Sequence, residues 1–216
     1  MRRGMWQWLG IAACLVGTGA QAGKLVVDVR DGQNRPIPNA VVYFTPPGTL
    51  PAAPARTRSV MDQRDKEFVP HVLPVQAGTE VVFPNSDNIR HHVYSLGNGN
   101  AFELPLYPNG ARPSVRFKQL GAASVGCNIH DWMLGYIYVV ETPWFGLSGA
   151  DGRALLQGVP NKAGKLRVWH PRLEGGESAV PVLEVDGRRQ DALTVTLKLK
   201  PESPRKRPAH HSGDYD

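Results

Sequence analysis

Apolar and polar residues alternate along this chain in short runs broken by turn residues, and helical periodicity is nearly absent. β-forming runs cover Lys24–Val29, Ala40–Phe44, His71–Val75, Thr79–Phe83, His91–Leu96, Ser114–Phe117, Ser124–Cys127 and Gly135–Val140. Three more lie at Ala154–Leu156, Lys165–Trp169 and Ala192–Leu199. Many short strands at this spacing predict an all-β chain, an antiparallel sandwich or barrel. Val75-Gln76-Ala77-Gly78-Thr79 reads as strand, turn, strand. Thr194 to Lys200 alternates as a strand with one face in solvent should. The Pro-, Ala- and Thr-rich stretch Thr45–Arg58 reads as a loop or linker, and Pro143, which cannot donate into a central ladder, marks a boundary near Thr142-Pro143.

The first 22 residues do not belong to that pattern. Arg2 and Arg3, a short apolar stretch from Trp6 to Val16, and the small-x-small site Ala20-Gln21-Ala22 read as a secretory signal, which implies a periplasmic or secreted protein. Ile11-Ala12-Ala13-Cys14 also fits a lipoprotein box, so a lipid anchor at Cys14 stays open as the minor alternative. No apolar run reaches the length of a membrane span. The expected organisation is therefore a signal peptide over 1–22, an N-terminal β segment and linker over 23–59, a β domain over 60–141, a smaller β module over 142–200 and a disordered tail over 201–216. The 23–59 segment could pair with either β unit.

Composition matters mainly through its cysteines. Removing 22 of the 216 residues takes Cys14 away and leaves Cys127 as the one cysteine. A disulfide scaffold and a four-cysteine zinc ribbon are both excluded, and an unpaired cysteine in an oxidising compartment needs a reason. It is either a small buried hydrophobe or a metal-bound thiolate. The formal net charge of +6 includes Arg2 and Arg3, and without them it falls to +4. With no stripe of Lys and Arg among aromatics, no nucleic-acid partner is expected.

The chemistry concentrates in Cys127-Asn128-Ile129-His130-Asp131-Trp132-Met133, where a thiolate, an imidazole and a thioether stand within seven residues between two β runs. His91-His92 opens another run upstream. Two His, one Cys and one Met form the ligand set of an electron-transfer copper site, with a trigonal His₂Cys plane and a weak axial Met. Sulfur favours Cu(I) and imidazole tolerates both oxidation states. Zinc would want further Cys or His ligands and would leave Met133 unexplained. Neighbours on a strand point to opposite faces, so one of His91 and His92 reaches the metal. Spacing alone does not choose which.

From Val60 to Val140 the chain resembles a cupredoxin of the plastocyanin and amicyanin kind. The residues carrying this are Phe68-Val69-Pro70, Val75-Gln76-Ala77-Gly78-Thr79, Val82-Phe83-Pro84-Asn85-Ser86-Asp87, His91-His92-Val93 and the Cys127 loop. The short loop from Cys127 to Met133 is similar to that of secreted, methylamine-utilisation-type cupredoxin proteins. The flanks Val27 to Gly32 with Pro38 to Val42, and Gly149 to Arg153 with Val159-Pro160 and Leu166 to Pro171, resemble a carboxypeptidase-regulatory-type β-sandwich. The resemblance implies a Greek-key barrel holding one mononuclear type 1 copper on His91, Cys127, His130 and Met133. His92 takes the place of the Asn that commonly follows the upstream ligand in that family. It further implies an electron carrier with protein redox partners, and an apolar patch around His130 that Ile129, Trp132 and Leu134 would supply. Asn85 and Asn128 are candidates to brace the ligand loops by hydrogen bonds.

No Gly-x-Ser-x-Gly elbow is present, and a second, catalytic copper would need another His cluster where only His71, His170 and the tail pair His210-His211 are left over. The expected role is thus electron transfer rather than catalysis. Two other readings stay open: a copper chaperone or delivery protein, and a structural module whose sandwich binds a partner.

Overall fold

β-Branched and aromatic residues at alternate positions fit a pleated surface buried on one side, and burial along most strands of this protein follows that alternation. The computed structural model describes residues 23–97, 99–188 and 191–202. The signal-peptide expectation, Cys14 and the tail from 203 onward lie outside them. The strands are β1 (Gly23–Arg30), β2 (Val41–Thr45), β3 (Arg58–Val60), β4 (Asp62–Arg64), β5 (Glu67–Val69) and β6 (Val72–Gln76). They continue with β7 (Glu80–Val82), β8 (His91–Ser95), β9 (Phe102–Tyr107), β10 (Ser114–Arg116), β11 (Gly121–Cys127) and β12 (Leu134–Val140). The last are β13 (Phe145–Leu147), β14 (Arg153–Val159), β15 (Ala163–Trp169), β16 (Val182–Asp186) and β17 (Leu193–Thr196), with one 3₁₀ turn at Gly176–Ala179.

These strands build two cores. The first lies between the sheets β14-β1-β17 and β13-β2-β15-β16 and is filled by Leu25, Val27, Phe44, Leu156, Leu166 and their neighbours. The chain thus opens and closes in the same sandwich, because β1 pairs with β14 and β17 while β2 pairs with β13 and β15. The second core lies between β10-β7-β3 and β6-β12-β11-β8-β9, around Met61, Phe83, Val93, Phe117, Val125 and Ile137. Both faces of β12 are used. Ile137 and Val139 fill the second core, while Tyr138 and Val140 join Val41, Tyr43, Val72 and Trp169 in a cluster between the two sandwiches. There Trp169 stacks on Tyr138 with ring centroids 4.3 Å apart.

The all-β expectation holds, and most pairs are antiparallel. Three pairs, β1–β17, β3–β7 and β6–β12, are parallel. Val75 to Thr79 joins strands of two different sheets, β6 and β7, with Gly78 at a φ of 95° in the turn. The β4–β5 hairpin, β9, β13 and β16 carry no clear alternation in sequence. β4 is Asp-Gln-Arg, β13 is three residues long, and β9 contains Pro105, which only an edge strand accepts. Among the described residues no helix is long and apolar enough to cross a membrane.

Candidate metal centre

Cys127 is the last residue of β11, and the six residues that follow turn back to start β12 at Leu134. β8 lies beside β11, with Gly126 opposite Tyr94 and Cys127 opposite Val93. Period-two alternation sends His91, Val93 and Ser95 of β8 into the core and leaves His92 and Tyr94 half-buried on the outer face. A register shift against β9 between His91 and Val93 marks a local bulge, a device that re-aims a side chain at the end of a strand.

The result is a compact group of donors. Cys127 Sγ stands 3.6 Å from His91 Nδ1 and 3.5 Å from His130 Nδ1. One ligand atom from each of the three residues lies within 4.8 Å of the others, and all three residues are buried. The two imidazole rings are 5.0 Å apart. His130 is placed by a tight turn in which the Met133 N–H donates to the His130 carbonyl at 2.9 Å. Met133 is itself buried in the core cluster that contains Cys127. The outer histidine goes elsewhere, with His92 Nε2 2.9 Å from Glu103 Oε1.

The arrangement suits a first-row metal ion. Such an ion, about 2.0–2.3 Å from nitrogen and sulfur ligands, separates those donors by about 3.6–3.8 Å at tetrahedral to trigonal angles. The observed 3.5 and 3.6 Å match that separation. Burial depresses the His91 pKa, against the opposing effect of its hydrogen bond to Asp87, and so favours the neutral imidazole that can ligate.

The loop leading into β8 is tied down from several sides. Asn85 Nδ2 donates to the Ile89 carbonyl at 2.7 Å and the Tyr107 carbonyl at 3.3 Å, while Asn85 Oδ1 accepts the Asp87 N–H at 3.0 Å. Asn85 thus braces the His91 loop as expected of it, whereas Asn128 is exposed. Three further side chains take part around this loop. Asp87 accepts a hydrogen bond from His91 Nε2 at 2.7 Å. Below it, Gln63 Nε2 donates to the Pro84 carbonyl and to the Tyr107 hydroxyl, and that hydroxyl donates to the Phe83 carbonyl at 3.1 Å. Burial pushes the Tyr107 pKa up, so this phenol stays neutral. No periodicity or motif spacing points to Gln63 or Tyr107.

Of the residues expected around His130, Ile129 is 51% exposed. Trp132 and Leu134 are half-buried, and Trp132 meets the His130 ring edge-on at 5.2 Å. The remaining described histidines serve other contacts. His71 Nδ1 lies 3.0 Å from the Leu134 carbonyl, and His170 Nδ1 accepts the Arg172 N–H at 3.0 Å.

No family model matches the chain. No curated protein matches it either. Among solved structures it is similar to cupredoxins over less than half its length. It is 26% identical to a copper-containing nitrite reductase from Thermus scotoductus SA-01, covering 45% of this chain and 25% of that one, with a TM-score of 0.38. This chain therefore spans about a quarter of the reductase. A novel purple cupredoxin from Nitrosopumilus maritimus is 21% identical over 39% of this chain and 99% of its own, with a TM-score of 0.34. A reduced amicyanin mutant is 22% identical over 46% and 98%, with a TM-score of 0.37.

Proposed function

We propose that this protein is a periplasmic electron carrier that holds one mononuclear type 1 copper on His91, Cys127 and His130, with Met133 as the weak axial ligand. The observation carrying this reading is the buried His₂Cys group, with both imidazole nitrogens 3.5–3.6 Å from one thiol sulfur. That donor set suits copper in both oxidation states, and copper so held supplies single-electron transfer. The chain's own part is to keep the donors in place through the change. Cys127 and His91 sit on neighbouring strands of one sheet, and His130 is fixed by the turn that closes on Met133. The surrounding core, with Phe83, Val93, Val125 and Ile137 fully buried, excludes water from the donors. Ile129 and Trp132 would present the apolar surface through which redox protein partners approach His130.

The role we propose is that of a carrier. Among the described residues His91, Cys127 and His130 form the one group of three or more His, Cys, Asp or Glu side chains able to hold a metal. The unit carrying the site is proposed to run over 60–141. The flanking 23–45 and 142–199 form a separate β-sandwich that frames it. The test is metal content: copper loading of the purified chain should give one copper per molecule, reduced to background by Cys127→Ala. Two or more tightly held coppers, or uptake unchanged by Cys127→Ala, would overturn the assignment.

A further inference from the structure

A neutral imidazole has one nitrogen carrying a proton and one carrying a lone pair, and a metal can take only the second. Which nitrogen is free is set by the partner of the other. We infer that Asp87 is the positioning residue that aims His91 Nδ1 at the metal, and that the turn between β4 and β5 exists to hold Asp87 in place. This rests on the reading of the His91, Cys127 and His130 group as a copper site.

The geometry is specific. Asp87 Oδ2 lies 2.7 Å from His91 Nε2, and a carboxylate offers only acceptors to that contact. Nε2 must therefore carry the proton, and Nδ1, 3.6 Å from Cys127 Sγ, keeps its lone pair. His91 is fully buried, so no water competes for either nitrogen.

The carboxylate is in turn immobilised. Asp87 Oδ1 accepts the Asp65 N–H at 2.6 Å, and Oδ2 also accepts the Lys66 N–H at 2.9 Å. Asp65 and Lys66 are the two residues joining β4 to β5, where Arg64 pairs with Glu67. Their φ angles are 54° and 58°, the left-handed region that residues with a Cβ rarely occupy. In this tight turn the two successive N–H groups face one side and cradle the carboxylate between them. The Asp87 main chain is pinned as well, with its N–H on Asn85 Oδ1 at 3.0 Å and its carbonyl accepting from Asn109 Nδ2 at 2.7 Å. A hairpin distant in sequence from every proposed ligand thus fixes the orientation of one of them.

Asp87→Asn tests this without depending on copper. The amide has one acceptor oxygen where the carboxylate has two. Either its N–H₂ faces the turn's N–H groups, or it donates to His91 Nε2 and forces the proton onto Nδ1. Nitrogen-15 correlation spectra of the metal-free full chain in mildly alkaline buffer report which His91 nitrogen is protonated. The expected result is an Nε2–H tautomer in the wild type and an appearance of the Nδ1–H tautomer in Asp87→Asn. Cu(I) affinity, measured by chelator competition, should fall about 10- to 100-fold in the variant. An Nδ1–H tautomer in the wild type, or an unchanged Nε2–H tautomer together with unchanged Cu(I) affinity in folded Asp87→Asn, overturns the inference. If Asp87→Asn does not fold, judged by circular dichroism, the wild-type tautomer decides alone. If the wild type binds no copper, the copper reading falls while the tautomer result still judges Asp87.

Discussion

The five side chains of the proposed site were unequally visible in the sequence. Cys127, His130 and Met133 lie within one loop, so their association was legible from spacing. His91 was legible as a candidate but not separable from His92 until the strand placed one inward and the other on Glu103. The hold on Asp87 was illegible, because the N–H groups of Asp65 and Lys66 that fix its carboxylate come from a turn more than twenty residues away, and no local pattern encodes that contact. A second histidine gives a prediction at this scale. His170 is buried, its pKa is lowered to about 4 mainly by desolvation, and its Nδ1 accepts a hydrogen bond that protonation would break. The unfolded chain protonates this group near the ordinary value of about 6.5, so between there and about 4 the unfolded state binds more protons. Stability should be full above about pH 6.5 and fall as pH drops towards 4, by about 3 kcal/mol from this residue. Thermal unfolding across that range should show the slope, and His170→Gln should flatten it. An unchanged slope in the variant would count against the assignment.

At the scale of elements, long alternating runs were readable and short polar ones were not. β1 and β15 follow from their alternation, and β2 and β12 from their runs of β-branched and aromatic residues, within a residue or two at the ends. β3, β4 and β5 are three residues each and take their strand character from pairing partners elsewhere in the chain. Close approach also constrains single positions. A Cβ at Gly164 of β15 would stand 2.5 Å from Phe44 Cζ and 2.8 Å from the Thr45 carbonyl, both on the paired β2. Phe44 is fully buried and has no room to retreat. Gly164→Ala should therefore destabilise the fold by about 1–3 kcal/mol in denaturant unfolding. A change under about half a kcal/mol would show that the β2–β15 contact is looser than its geometry.

The whole molecule joins two β cores through one aromatic cluster, and sequence left open which core the first strands would complete. In the structure β1 and β2 pair with β13, β14, β15 and β17. Trp169 on one sandwich stacks on Tyr138 of the other. Below the stack, Glu177 reaches across to accept the Ala122 N–H at 2.6 Å. Trp169→Ala should cost about 3–5 kcal/mol and split a single calorimetric unfolding transition into two. One sharp transition at the wild-type temperature would mean that the cluster does not couple the cores. At this scale too, the signal-peptide reading predicts that N-terminal sequencing of the exported protein begins at Gly23, and a chain beginning at an acylated Cys14 would indicate a membrane tether instead. The most direct test of the copper reading is the visible and paramagnetic-resonance spectrum of the copper-loaded protein. An intense thiolate-to-copper charge-transfer band that disappears in Cys127→Ala is the predicted result, and a colourless copper-loaded wild type would contradict it.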